Sequence, residues 1–379
     1  METSSLLADL RLQLWKGEPM TSTAPAPKIT LFNHKGGVSK TTTSFNLGWK
    51  LAEKGHTVLL VDADPQCNLT GMVSGYSGIE DLGSFYGDDD NASTIYSGLT
   101  PAFEAQPREI EAVTPIAVSG RPGLHLLAGD IRLAEYENTL GIAQELSGAI
   151  QALKNLPGSL SFVIDRTAES VQADFVIIDL SPGLGPLNQN LVSTSDYIVI
   201  PAAPDFFSVM AIDSLARVLP RWFAWARQAA SLPVLKDATY PFPEPKLKVL
   251  GTIVQKYRPR SGQPAASFQR WIDEVSEVVE KRLVPALQDA NVLPPSEAFE
   301  QLGISPKDMC LAQIPEFNSL IAISQDNLTP IFALTDAQFR IGGSVLENWQ
   351  KSRDGFNDQF DALTDRITSL IDLTKASGA

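Results

Sequence analysis

Six short runs, at residues 28–33, 57–62, 124–127, 174–179, 196–201 and 248–254, are apolar at nearly every position and rich in Val, Ile and Leu. Amphipathic helical stretches separate most of them. Runs without alternation predict strands buried on both faces, and their alternation with helices predicts an α/β fold: a mostly parallel, twisted sheet flanked by helices. Ligands on such sheets bind at the carboxyl ends of the strands, so the residues just after each run are where chemistry is expected. The pattern fails at about residues 72–123, where Gly, Ser, Asp and Pro dominate, as in Gly87-Asp88-Asp89-Asp90-Asn91. That stretch predicts an acidic surface loop, an insertion suited to binding a partner.

The two ends read differently from the middle. Leu6, Leu7, Leu10 and Leu14 share one helical face, which predicts a short amphipathic arm docked on this chain or on a second copy. Residues 19–27 read as a linker, and Met20 is an alternative start. Residues 1–27 are therefore expected to be an arm and linker, and residues 28–379 one domain. Near the C-terminus Phe356, Phe360, Leu363, Ile367 and Leu370 form a helical stripe. Asp358, Asp361, Asp365 and Asp372 outnumber Arg366 and Lys375 beside it, so a packed terminal helix is expected rather than a basic membrane-binding one.

Composition narrows the class. The chain has 379 residues, 44% hydrophobic and 20% charged, with a formal net charge of −14. Those figures describe an ordinary globular protein and exclude a strongly basic nucleic-acid coat, though not a local basic patch. Cys67 and Cys310 lie far apart, suggesting neither a disulfide framework nor a zinc site, and a reducing cytoplasm is the expected compartment. No apolar run has the length of a membrane span, and Met1-Glu2-Thr3-Ser4-Ser5-Leu6-Leu7 lacks the basic start of a secretory signal.

The chemistry concentrates after the first run, at Lys35-Gly36-Gly37-Val38-Ser39-Lys40-Thr41-Thr42. Strand, glycine turn and helix make a phosphate cradle, in which backbone N–H groups and the helix dipole face phosphate oxygens. Lys40 is placed for the β- and γ-phosphates and Thr41 for Mg²⁺. The strict GxxxxGKT pattern is not met, because His34 and Ser39 occupy its two glycine positions. Two carboxylates, Asp62 and Asp64, follow the second run in Asp62-Ala63-Asp64-Pro65-Gln66-Cys67-Asn68, and Asp179 ends Phe175-Val176-Ile177-Ile178-Asp179. An apolar strand ending in Asp is the Walker-B arrangement, which holds Mg²⁺ indirectly.

The KGGxxKTT loop, with its extra lysine, resembles the deviant Walker-A loop of the ParA/MinD family of P-loop ATPases, closest to ParA-type partition ATPases. The resemblance runs from about residue 28 to about residue 335. It implies a P-loop NTPase fold, ATP and Mg²⁺ as cofactors, and nucleotide contacts from Gly36, Gly37, Val38, Ser39, Lys40, Thr41 and Thr42. It implies that Lys35 crosses a nucleotide-sandwich homodimer, that Asp64 orients the attacking water, and that Asp62 supports the Mg²⁺ shell beside Thr41 and Asp179. Gly251-Thr252-Ile253-Val254-Gln255-Lys256-Tyr257-Arg258-Pro259-Arg260 and Ile314-Pro315-Glu316 resemble the family's base-contacting segments, which nominates Gln255, Tyr257 and Pro315. The expected function is a slow, partner-stimulated ATPase switch for plasmid or chromosome partition or cargo positioning, cytoplasmic and in part nucleoid-associated, with no membrane. The alternative is a regulatory ATPase read by a dedicated protein partner, such as a toxin or defence effector, without DNA. Lys246, Lys248, Lys256, Arg258 and Arg260 form the candidate patch for non-specific DNA, over residues 246–260. Ser39 departs from the usual glycine at a position that wants positive φ, which predicts weakened nucleotide affinity or slow turnover.

Overall fold

A computed structural model of the chain describes residues 25–75, 93–146, 150–260 and 263–378. Its strands are β1 (Lys28–Leu31), β2 (Val58–Asp62), β3 (Ile116–Ala117), β4 (Leu124–Leu127), β5 (Phe175–Asp179), β6 (Tyr197–Ala202), β7 (Lys248–Tyr257), β8 (Pro259–Arg260), β9 (Gln263–Pro264) and β10 (Cys310–Pro315). Eight of them form one sheet in the order β10-β7-β6-β1-β5-β2-β4-β3, while β8 and β9 pair separately. Within the sheet only β3 against β4 is antiparallel. The six apolar runs all became strands, and their continuous hydrophobicity reflects helices on both faces.

The strand order reverses around β1. The chain leaves β1 for β2 and β4, returns to fill the gap with β5, then crosses to β6 on the other side. That reversal opens a crevice beyond the carboxyl ends of β1, β2 and β5. Helices α1 (Lys40–Glu53) and α2 (Asn68–Ser74) border it.

The stretch expected to be a surface loop divides in two. Residues 76–92 lie outside the described residues, as do residues 1–24 of the arm and linker. From residue 93 the chain is built into the core: α3 (Ile95–Phe103) has Ile95 and Leu99 fully buried, and Ile110, Val113 and Val118 are buried behind it. Thr94 caps α3 in a reciprocal capping box with Ser97, and its hydroxyl donates to Asp130 at 2.9 Å. The composition misled because Gly98 and Pro101 look like breakers. A Cβ on Gly98 would lie 2.6 Å from Val113 Cγ2 and 2.7 Å from Val163 Cγ2, so here glycine permits close packing. That second neighbour belongs to α5 (Leu156–Ser170), which follows α4 (Leu133–Glu145).

The remaining helices that matter are α6 (Pro186–Thr194), α7 (Phe206–Ser231), α8 (Ala266–Val278), α9 (Leu320–Asp326) and α10 (Gly343–Gly378). The terminal stripe is packed: Phe360, Leu363, Ile367 and Leu370 of α10 are fully buried and Phe356 nearly so. Lys54, just past α1, bridges Asp361 and Asp365 at 2.9 and 2.7 Å, and Lys50 donates to Asn357 at 2.7 Å. The acidic residues that argued against a membrane helix thus fasten α10 to the helix behind the phosphate loop. No helix among the described residues is long and apolar enough to cross a membrane.

Candidate nucleotide site

A cavity of about 970 Å³ opens in the crevice, with Gly36, Gly37, Ser39, Lys40, Thr41 and Thr42 along one wall and Asp64, Gln66 and Cys67 on another. Leu180 and Pro182 come from the loop after β5, Lys256 from the end of β7, and Gln325, Asp326 and Leu328 from α9 and the turn after it. The sequence motifs at the ends of β1, β2 and β5 therefore converge on one space, as the sheet topology requires.

The phosphate loop is held from beneath. Asn33 donates from Nδ2 to Pro201 O at 2.8 Å and accepts the Lys35 amide on Oδ1 at 3.0 Å. Thr43 Oγ1 donates to Gln255 Oε1 at 2.9 Å, and Gln255 Nε2 donates to Val38 O at 3.4 Å. Val38 itself is fully buried and offers only its backbone. Ser39, at the N-cap of α1, has φ 63° and ψ 30°, so the left-handed turn usually given to glycine is taken by serine.

The two lysines of the loop point to different places. Lys40 curls back, its Nζ donating to Asn33 O at 2.9 Å and Lys35 O at 3.2 Å, and burial lowers its pKa from the ordinary lysine value. Lys35 does not line the cavity. Its Nζ pairs with Asp205 at 2.6 Å and donates to Ser208 Oγ at 3.0 Å, at the start of α7. There Phe206, Phe207 and Met210 are 51%, 69% and 51% exposed. Sequence reading missed Asp205, although an Asp directly before a helix at the end of β6 is a legible N-cap.

The three aspartates differ in environment. Asp64 lines the cavity and accepts the Gln66 amide on Oδ1 at 2.9 Å. Asp179 is fully buried at the end of β5, and its Oδ1 accepts from Ser44 Oγ at 3.2 Å. Its Oδ2 has no hydrogen-bond partner. Burial, then the nearby Asp62 charge, pushes its pKa up to about 7, while the Thr41 and Ser44 hydroxyls and Lys40 pull it back. An orphaned, buried carboxylate oxygen beside Thr41 fits a divalent cation held directly or through water.

Asp62 is held inside the protein. Both its oxygens are occupied inside the protein: Oδ1 accepts the Asp64 amide at 3.2 Å, and Oδ2 accepts the amide and hydroxyl of Thr70, each at 2.7 Å. Burial raises its pKa to about 6. Asp62 does not line the cavity and fixes the loop that presents Asp64.

Gln255, Tyr257 and Pro315 are absent from the cavity wall, whereas Lys256 between the first two is on it. Gln255 and Tyr257 are buried, whereas Lys256 between them is exposed. The basic segment 246–260 also separates. Lys248, at the start of β7, donates to Asn291 O at 3.3 Å, while Arg258, past its end, pairs with Glu316 at 2.7 Å. A ten-residue strand spans about 30 Å, so these cations do not form one patch.

Comparison with known proteins agrees with this fold. The AAA_31 family model, described as an AAA domain, matches residues 26–223. An uncharacterized protein of Methanocaldococcus jannaschii is 29% identical over 275 residues, covering 72% of this chain and 86% of that one. The chromosome partitioning protein ParA of Caulobacter vibrioides is 29% identical over 204 residues, 53% of this chain and 64% of its own length. Among solved structures, protein DIP2308 from Corynebacterium diphtheriae superposes with a TM-score of 0.59 at 22% identity, covering 91% of this chain and 98% of that one. The ATP complex of a McdA variant from Cyanothece gives 0.53 at 16% identity, covering 92% and 97%. These two likenesses establish the fold.

Proposed function

Because the chain belongs to the AAA_31 family of AAA-domain proteins, with distant homology to ParA-type ATPases, we propose that it is an ATP-hydrolysing switch that dimerises on ATP. The observation that carries this reading is the divergence of the two loop lysines. Lys40 stays with its own cavity, while Lys35 sits outside it, on a rim beside exposed Phe206 and Phe207. A lysine of the phosphate loop that faces away from its own phosphates is suited to those of a second copy.

In this reading Gly36, Gly37, Ser39, Lys40, Thr41 and Thr42 bind the phosphates, and Thr41 with Asp179 holds the cation. Asp64 orients the attacking water from the opposite wall, positioned by Asp62 through the backbone at residue 64. Mg²⁺, when bound, supplies charge neutralisation at the phosphate oxygens. Residues 28–379 act as one ATPase domain, cytoplasmic, and turnover is slow until an activating partner engages.

The switch serves partition of DNA, as the name of the Caulobacter relative suggests for that protein, or positioning of a cargo. The separation of the 246–260 cations favours a second reading, in which a dedicated protein partner senses the ATP state and no DNA is bound. The deciding experiment is the mass of the full-length protein with ATP·Mg²⁺, with ADP·Mg²⁺, and as Lys35→Ala with ATP·Mg²⁺. A dimer in ATP alone, lost in Lys35→Ala, is expected; a monomer throughout, or a dimer indifferent to Lys35, refutes the switch. ATP-dependent retention on DNA at low salt, lost on Lys40→Ala, separates the two uses.

A further inference from the structure

The last turn of β7 holds a feature that the phosphate loop does not explain. Lys256 has φ 67°, a left-handed conformation that glycine adopts freely and lysine does not. Across from it the register of β10 slips: Ile314 pairs with Gln255 and Pro315 with Tyr257, leaving Lys256 without a partner residue. This is a β-bulge, a device that re-aims one side chain and is frequent beside ligand sites. Gln255 and Tyr257 on either side stay buried, and only Lys256 turns outward into the cavity. Its Nζ donates to Gly37 O at 3.2 Å, on the phosphate loop itself.

Among the described residues that line the cavity only Lys40 and Lys256 are cationic, against the carboxylates of Asp64 and Asp326. Lys40 is buried and already committed to two backbone carbonyls. A single exposed lysine-to-carbonyl hydrogen bond stabilises a loop too weakly to account for a bulge and a left-handed lysine together. Backbone strain of this kind persists where surrounding structure enforces it, and it clusters at ligand clamps.

We propose that Lys256 is a phosphate-binding residue of this cavity, delivered by the β7 bulge to pair with the phosphate chain of ATP or ADP. It would exchange the Gly37 carbonyl for phosphate oxygens when nucleotide enters. The proposal rests on reading the cavity as a nucleotide site, and it assigns a cation from the far end of the sheet to that site.

The test titrates full-length protein with ADP·Mg²⁺ at two salt concentrations, in wild type, Lys256→Met, Lys256→Arg and Lys40→Ala, with inorganic pyrophosphate as competitor. Lys256→Met weakens ADP about tenfold, flattens the salt dependence of binding, and weakens pyrophosphate by a similar factor. Lys256→Arg restores most of the affinity. Should the methionine variant unfold, Lys256→Gly, which suits the left-handed backbone, takes its place and shows the same loss. Wild-type affinity in Lys256→Met, an unchanged salt dependence, or a loss for ADP without one for pyrophosphate overturns the proposal. If wild type binds no ADP, or Lys40→Ala binds as wild type does, the nucleotide reading falls and this inference with it.

Discussion

In the proposed ATP sandwich Lys35 cannot hold Asp205 and reach a second copy at the same time, so the pair would set a threshold for dimerisation. The side chains are 18% and 42% exposed, and the ammonium contacts both carboxylate oxygens and Ser208 Oγ. With solvent screening at that exposure, the pair is worth about 1 kcal/mol. Two protomers release two such pairs on forming a sandwich, about 2 kcal/mol in all, so removing them strengthens the dimer about thirtyfold. The substitution must spare the helix cap, because Asp205 Oδ1 also accepts the Ser208 amide at 2.9 Å. Asp205→Asn does so, since asparagine caps as well as aspartate. Sedimentation velocity over a range of protein concentrations, with Mg²⁺ and a non-hydrolysable ATP analogue, measures the dimer constant. In a Lys35→Ala background, where no dimer is expected, the same substitution should not restore one. A dimer constant unchanged or weakened by Asp205→Asn, with the melting midpoint intact, would mean that the pair survives in the dimer and sets no threshold.

Two further outcomes follow from backbone geometry. Ser39 is left-handed at the N-cap of α1; where the fold alone fixes that turn its cost falls on folding, and where the nucleotide fixes it the cost falls on binding, as the weakened affinity expected from the sequence requires. In the first case Ser39→Gly should raise stability by about 1 kcal/mol in a denaturant titration and leave ATP affinity unchanged; a tighter nucleotide complex at equal stability would mean the second. A Cβ on Gly158 of α5 would lie 2.1 Å from Tyr240 O and 2.6 Å from Pro241 O, both backbone atoms that cannot swing aside. Gly158→Ala should therefore cost about 3 kcal/mol, and a loss below about 1 kcal/mol in the same titration would show that α5 shifts freely.

What could be read from the sequence was whatever is local in the chain. The apolar runs are strands because burial on both faces leaves no alternation to blur, and the Lys35–Thr42 loop is a contiguous turn between β1 and α1. What could not be read depends on contacts between segments far apart. Asp62 and Asp64 look equivalent until Thr70 folds back to occupy one of them. Gln255 and Lys256 differ only in which way a strand end faces, and the bulge that decides it comes from the register of β10. Residues 93–123 looked like a loop because Gly98 reads as a breaker until Val113 and Val163 stand against it. The five cations of 246–260 looked like a patch because sequence distance ignores how far a strand carries them apart.

The distribution of backbone strain links these residues. Ten non-glycine residues among those described have positive φ, and four of them, Ser39, Cys67, Lys256 and Leu328, line the cavity. Each sits where a helix or strand ends: Ser39 and Cys67 cap α1 and α2, Lys256 is in the bulge closing β7, and Leu328 follows α9. Left-handed turns at element ends are where glycine is cheapest, and here other residues take those places around one space. Leu328 brings its side chain to the turn that ends α2, where a Cβ on Gly75 would lie 2.7 Å from it. A glycine at each position would suit the backbone better and remove a wall of the cavity. The strain is thus a cost of about 1 kcal/mol at each of several positions, and what it supplies in return is a lining, with one cation, that a looser set of turns could not hold in place.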